Sequence, residues 1–317
     1  MKNTDTYLAL DFGGTKLLVG ELDNKGQVLN YKKYDTGFVD QIQALNIIQN
    51  SVDDYENSVG WATGKWPVAM GVGLIGRVDN AKGVWFQIDP QRNKLLELAG
   101  ILSKKYGIPC YIDNDVKSAA KAEKWIGQGT DSDNFIYLNV GTGIAAAFVI
   151  NGKVIRGSHN NSGEVGHTSV GVNTGIKCGC GRTNCVELIA SGMGFDKQAR
   201  LNQTTYATEL LIPDGAQVDV RNIYKLAKQG DQLCIHLVEL ASSALAYLIM
   251  NLVRVTDPEL VVLGGGIVSE SYFFNKVLEK LNQTTIRFVT QGVVLTKLDP
   301  GFAGLVGAGA VAKNIIH

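Results

Sequence analysis

YLALDFGGTKLLVGELDNKGQVL (residues 7–29) and FIYLNVGTGIAAAFVINGKVI (residues 135–155) follow one plan. Each opens with an apolar run rich in β-formers and turns through glycine and threonine, at Gly13-Gly14-Thr15 and at Gly141-Thr142-Gly143. A second apolar run follows, then a glycine turn containing asparagine (Asn24-Lys25-Gly26; Asn151-Gly152), then a third strand. This is the order of an antiparallel meander with a Gly-Thr loop at its first hairpin. An Asn-Gly turn alone means little. Repetition of the whole order predicts two related α/β domains.

Between and after the meanders the pattern alternates. Residues 68–85 predict strand, turn and strand, and residues 93–107 a helix stopped by Gly107. Residues 108–115 predict a strand and 116–127 a helix ending at Gly127. Residues 233–255 form one long apolar helix, packed between elements or at a subunit contact. Residues 258–270 predict a buried strand, the glycine loop Gly264-Gly265-Gly266 and a helix start. The small-residue helix at 303–316 returns to the first domain. The expected division is residues 1–118 plus 303–317 for a smaller N-terminal domain, and 119–302 for a larger one carrying a metal loop.

Composition sets limits on partners. The chain has 317 residues with 30 basic and 30 acidic side chains and no long run of either sign. Neither a nucleic-acid nor an acidic-membrane surface is expected. The first residues are too polar for a secretory signal, and the longest apolar stretch is broken by Ser242 and Ser243. The expected location is the cytoplasm, where thiols stay reduced. Three of the five cysteines (Cys178, Cys180, Cys185) nevertheless crowd into KCGCGRTNCVE, residues 177–187. A disulfide staple, a redox pair and a metal site are the options, and the compartment disfavours the first. His167 in GEVGH lies eleven residues before Cys178. One imidazole and three thiolates complete a tetrahedral shell for Zn²⁺, with no open position, so the metal is structural.

Other residues suit phosphate and proton chemistry. Gly13 and Gly14 leave backbone N–H groups open to phosphate oxygens, with the Thr15 hydroxyl beside them. Asp11 ends the first strand and suits a Mg²⁺ bridging those oxygens, and Lys16 adds positive charge. No dinucleotide G-x-G-x-x-G and no P-loop is present. Three glycine loops on two similar halves instead suggest a cleft that clamps a nucleotide. In IDNDVKSAAKAE, Asp115 sits where a strand passes into a helix. It suits a helix N-cap, but a carboxylate at that place also suits a general base for a sugar hydroxyl attacking a γ-phosphate. Lys117, one turn on, either favours the ionised carboxylate or, as the simpler alternative, points to water.

DFGGTK, GVGLIGRVD, IDNDVKSAAKAE, LNVGTG, GEVGH, CGCGRTNCVE and VLGGGI occur here in one order. In that order the sequence resembles the ROK proteins (repressors, open reading frames and sugar kinases) over essentially its whole length. The resemblance implies an actin/hexokinase-like (ribonuclease H-like) fold of two α/β domains with ATP and sugar in the cleft. It implies Asp115 as catalytic base. It implies that Asn114, Glu164, His167 and Glu187 hold sugar hydroxyls. Asp11, Gly13, Gly14, Thr15, Gly141, Thr142 and Gly143 would contact ATP phosphates or Mg²⁺, and Gly264–Gly266 would lie against the adenosine. Lys117 replaces an asparagine common in the family, and the N-x-x-W segment of glucokinase-like members is absent. Gly76-Arg77 resembles the N-acetylmannosamine kinase branch and marks a further sugar contact. The expectation is an ATP-dependent kinase of a hexose or N-acetylhexosamine, assembled as a homodimer. The alternative is a sugar sensor or transcriptional regulator. Asp11 lies only ten residues from the start, which leaves no room for a helix-turn-helix ahead of it.

Overall fold

The computed structural model describes residues 5–316. The chain runs through β1 (Thr6–Phe12), β2 (Lys16–Asp23), β3 (Val28–Asp35), α1 (Gln41–Ser58), β4 (Ala69–Leu74), β5 (Arg77–Asp79) and β6 (Val84–Gln87). Then come α2 (Leu98–Tyr106), β7 (Cys110–Asn114) and α3 (Asp115–Ile126). The second meander is β8 (Phe135–Val140), β9 (Ile144–Ile150) and β10 (Lys153–Val154), followed by a 3₁₀ turn at Val165–His167. The rest comprises α4 (Glu187–Ala190), α5 (Gly192–Asn202), α6 (Val220–Lys228), α7 (Gln232–Thr256), β11 (Leu260–Gly264), α8 (Ser271–Glu279), β12 (Gly292–Leu295) and α9 (Ala303–Ala312).

These elements form two compact units. One takes the described residues up to Asp133, Asn151–Ser162 and the residues from Lys297 on; the other takes Asn134–Ile150 and Gly163–Thr296. The first sheet has the order β3-β2-β1-β4-β7, with β1, β4 and β7 parallel. The second unit repeats the plan with β9-β8-β11-β12, where β8, β11 and β12 are parallel. The repetition therefore extends past the meanders into the parallel strands. Strands β4 and β11 are buried at every residue, as a parallel strand covered on both faces must be.

Helix α9 is buried throughout, from Leu305 to Ala312. Glycines let it approach both the first sheet and α3: a Cβ on Gly71 would overlap the Ala308 carbonyl, and one on Gly307 would come within 3.0 Å of the Ser118 backbone in α3. Helix α3 packs on α9 and β4, which is why the first unit continues beyond residue 118 to Asp133. Helix α7 is long and apolar enough to cross a bilayer, yet Leu237, Val238, Leu245 and Ile249 are buried in the second unit's core.

Two element boundaries differ from the sequence expectation. Helix α2 starts at Leu98, not 93, because Leu96 is taken by backbone hydrogen bonds with Trp85 in both directions (2.8 and 3.0 Å). Helix α9 ends at Ala312, short of the expected 316, while the glycine loop after β11 leads to a helix start at the end of the 258–270 segment as expected. Gly265 adopts φ +95°, Ile267 N–H donates to Val140 C=O at 3.1 Å, and α8 begins at Ser271.

Candidate active site

In the first unit, the β1–β2 hairpin closes with Gly13 N–H donating to Lys16 C=O at 2.9 Å. Gly14, Thr15 and Lys16 are exposed at its tip. Asp11 is half-buried behind it, pressed against the first turn of α9, where a Cβ on Gly304 would overlap the carboxylate. Burial raises the Asp11 proton affinity, and the charge of Lys16 opposes this.

The β7–α3 junction is a dense polar network. Asn114, not Asp115, is the N-cap: its Oδ1 accepts from Val116 N–H (3.1 Å) and Lys117 N–H (3.3 Å). Asp115 is the first helical residue, because Asn114 keeps an extended backbone (φ −65°, ψ 146°) and its side chain reaches the N–H groups of the first turn. The Asn114 Nδ2 donates to Gly76 C=O and to Asp115 Oδ1, both at 2.9 Å. Gly76 is left-handed (φ +85°), and a Cβ there would overlap the Gln87 carbonyl, so only glycine presents that acceptor. Arg77 lies over the Phe86 ring at 4.8 Å, with Nε buried and unpaired.

Asp115 has its proton affinity pushed up to about 6. Burial is the main cause; the Val116 N–H lowers it, the Asp11 charge raises it and the Lys117 charge lowers it. Lys117 does not point to water. It is buried and its Nζ donates to Ser162 C=O at 3.1 Å. One residue before Asn114, Asp113 is fully buried and accepts two Arg156 bonds, each 2.8 Å, with Lys121 Nζ at 3.4 Å. Burial alone would raise Asp113, but the Arg156 bonds and the Lys121 and Arg156 charges hold it below the ordinary carboxylate range. The ion cluster fixes the strand end on which Asn114 and Asp115 sit.

In the second unit the β8–β9 turn closes with Gly141 N–H on Gly143 C=O at 2.9 Å. Gly141, Thr142, Gly192, Gly266, Ile267 and Ser269 border a cavity of about 550 Å³ whose remaining wall is residues 217–221 and Tyr224. Gly264 and Gly265 lie behind it, against Tyr137 and the Val140 backbone. Glu187 opens α4 and accepts the Ile144 N–H on Oε2 at 3.0 Å.

His167, Cys178, Cys180 and Cys185 bring their ligand atoms within 4.8 Å of one another. Cys178 Sγ lies 3.5 Å from His167 Nδ1, and Cys180 Sγ lies 3.5 Å from Cys185 Sγ. Zn–S bonds of about 2.3 Å and a Zn–N bond of about 2.0 Å give tetrahedral edges of roughly 3.5–3.8 Å. The cluster fits that ion. The loop is shaped by Cys178 N–H on Arg182 C=O (2.8 Å) and by Asn184, whose side-chain oxygen accepts from Thr174 and Gly175 N–H. With Nδ1 turned to the cysteines, His167 Nε2 lies 3.9 Å from Glu164.

The sequence pattern of the ROK family matches residues 7–315. The chain belongs to the ROK family. A glucokinase of Thermotoga maritima is 27% identical over 321 residues, 98% of either chain. An N-acetyl-D-glucosamine kinase of Yersinia enterocolitica is 28% identical, covering 89% of this chain and 90% of that protein. Among solved structures, a ROK hexokinase from Thermus thermophilus has a TM-score of 0.79 at 27% identity, covering 97% of this chain and 98% of its own. A ROK glucokinase from Streptomyces griseus, in complex with glucose and AMPPNP, has a TM-score of 0.74 at 26% identity, covering 98% and 99%. The fold is thus the actin/hexokinase-like α/β fold.

In this ROK protein the residues singled out from sequence gather into groups. The histidine and three cysteines converge, Gly141, Thr142 and Gly266 share one cavity, and the Asp11 charge raises the proton affinity of Asp115. Sequence reasoning missed Arg156 and Lys121 on Asp113, Gly304 beneath Asp11, and the cavity wall at residues 217–221. None of these has a local motif. Lys117 and Lys121, four residues apart on α3, are both buried, which their sequence spacing does not reveal.

Proposed function

We propose that the chain is an ATP-dependent sugar kinase that moves the γ-phosphate of ATP to a hydroxyl of a hexose or N-acetylhexosamine. The observation that carries this is Asp115. It is a half-buried carboxylate at a strand's end, aimed by Asn114, with a proton affinity close to neutral pH. A base so tuned takes a hydroxyl proton and is still ionised at pH 7. Membership of the ROK family and the chain's likeness to a glucokinase and an N-acetyl-D-glucosamine kinase point the same way.

In this reading Asp115 accepts the proton of the attacking hydroxyl while Asn114 holds its Oδ1 in place. Glu164, His167 and Glu187 receive the other sugar hydroxyls, with Gly76 and Arg77 bordering the sugar. His167 is suited to this because Nδ1 faces the cysteines and leaves Nε2 on the Glu164 side. The N–H groups of Gly14 and Gly143 and the hydroxyls of Thr15 and Thr142 receive phosphate oxygens, with Lys16 adding charge, while the N–H groups of Gly13 and Gly141, expected to do the same, are spent on closing the two turns. The cavity beside Gly141, Thr142 and Gly266 takes the nucleoside, with Gly264 and Gly265 shaping its floor. Asp11, an oxygen donor at the end of β1, suits Mg²⁺, which supplies neutralisation of phosphate charge when bound. Structural Zn²⁺ suits the His167–Cys178–Cys180–Cys185 cluster.

The test is ADP formation from ATP with a panel of glucose, mannose, fructose, N-acetylglucosamine and N-acetylmannosamine. Rapid turnover on one or more of them is expected. Asp115→Asn should abolish turnover and leave sugar binding in place. Sugar binding without ATP consumption by the unmodified chain would overturn the kinase reading in favour of a sugar sensor.

A further inference from the structure

The Gly141–Gly143 loop has a support that phosphate binding alone does not require. Glu187 Oε2 accepts the N–H of Ile144, the residue that leaves the loop, at 3.0 Å. The same oxygen lies 2.5 Å from where a Cβ would stand on Gly143 and 3.1 Å from one on Gly166. The carboxylate fills a slot that two glycines keep open. Two more bonds reach the loop from nearby in the chain: Gly192 N–H donates to Gly141 C=O (2.9 Å) and Met193 N–H to Thr142 C=O (3.2 Å). Glu187 comes two residues after Cys185, and Gly166 is joined to His167. Val186 N–H donates to Thr168 C=O at 2.9 Å, tying the two flanks of the cysteine knot together. The loop is therefore braced from the knot.

We propose that Glu187 is a positioning residue for the nucleotide. It holds the Gly141–Gly143 loop ready for phosphate, and through it nucleotide affinity depends on the His167–Cys178–Cys180–Cys185 cluster. The identity of the ligand rests on the sugar-kinase reading. A glycine loop that must be ordered on binding loses affinity to conformational entropy, and a charge-assisted bond made beforehand removes that loss. One carboxylate oxygen is committed to the loop, so Glu187 serves sugar hydroxyls with the other at most.

MgADP binding measured by calorimetry in the absence of any sugar isolates this role. Glu187→Gln keeps an oxygen at the same reach but loses the charge, and should bind MgADP about threefold more weakly than the unmodified chain. Glu187→Ala removes the oxygen, and Glu187→Asp keeps the charge but is one methylene short. Both should bind about tenfold more weakly, the scale of one lost hydrogen bond to a charged group. Gly143→Ala, which pushes the carboxylate off from the loop side, should repeat the loss and serves if Glu187→Ala does not fold. Removing metal with a chelator should weaken MgADP binding by a similar factor, and should add little in Glu187→Ala. Equal MgADP affinity in all Glu187 variants would show that this side chain serves sugar alone and overturn the proposal. Additive effects of chelation and Glu187→Ala would overturn the link to the knot. An unmodified chain that binds no MgADP overturns the kinase reading itself, a result told apart because every form is then equally blank.

Discussion

Replacing Lys117 with methionine tests the assignment of Asp115 as the base. Methionine keeps the length and apolar stem of a buried lysine and removes its charge. The Asp115 proton affinity stands at about 6, set by burial and the Asp11 charge against the Val116 N–H and the Lys117 charge. Loss of the Lys117 charge removes a lowering influence, so the affinity must rise. A neighbouring opposite charge typically shifts a carboxylate by about one unit or more, so a value near 7 is expected. The ionised fraction would then fall from about 90% to about 50% at pH 7, and from about 50% to about 10% at pH 6. The acid limb of kcat/KM for the best sugar should move up by about one pH unit, with a loss of about twofold at pH 7 and fivefold at pH 6. Initial rates of ADP formation in quenched samples from pH 5 to 9 measure this, with saturating MgATP. A limb that stays in place, or moves down, would refute the claim that Asp115 in its ionised form carries the rate.

The same shift has a consequence for stability. A carboxylate whose folded value lies above its unfolded value costs stability once it ionises, a cost absent below pH 4 and complete above pH 6. Asp115→Asn should therefore be more stable by about 2–3 kcal/mol at pH 7 and show almost no gain at pH 4, by urea denaturation. Cys180→Ser should lose zinc by elemental analysis and weaken sugar binding; unchanged metal content would count against the cluster. Arg156→Met leaves Asp113 buried beside Lys121 alone and should cost about 3 kcal/mol, read as a lower urea midpoint; a neutral outcome would mean the ion cluster does not hold the β7 end. Gly71→Val should prevent α9 from docking and lower soluble yield sharply, because even a Cβ there overlaps the Ala308 carbonyl; normal yield and an unchanged melting profile would contradict the close approach.

How much of this was legible in the sequence depended on range. The paired meanders were readable because alternation and glycine turns are local, and both appear as β1–β2–β3 and β8–β9–β10. The cysteine knot was readable because three ligands fall in eight residues and the fourth is nearby in the chain. The cap at α3 was misassigned by one residue, since asparagine and aspartate compete for it and only backbone geometry decides. Of the two readings of Lys117, favouring the ionised Asp115 holds and pointing to water does not: a lysine in a first helical turn is ordinarily solvated, but here Ser162, forty-five residues on, supplies its acceptor. The Asp113–Arg156 pair spans forty-three residues and follows no periodicity. Glu187 enters through the ROK resemblance as a sugar contact, but nothing local shows that Ile144 claims one of its oxygens.

Helix α9 belongs to the unit whose strands are the earliest in the chain. During synthesis, β1, β2 and β4 therefore leave the ribosome long before the helix that covers them. The later unit, whose own elements lie between residues 134 and 296, is complete first. The first sheet must spend most of translation with one apolar face uncovered. Chaperone dependence and truncation damage should concentrate there, and a shortened chain lacking α9 should fail in its oldest half while the younger half still folds.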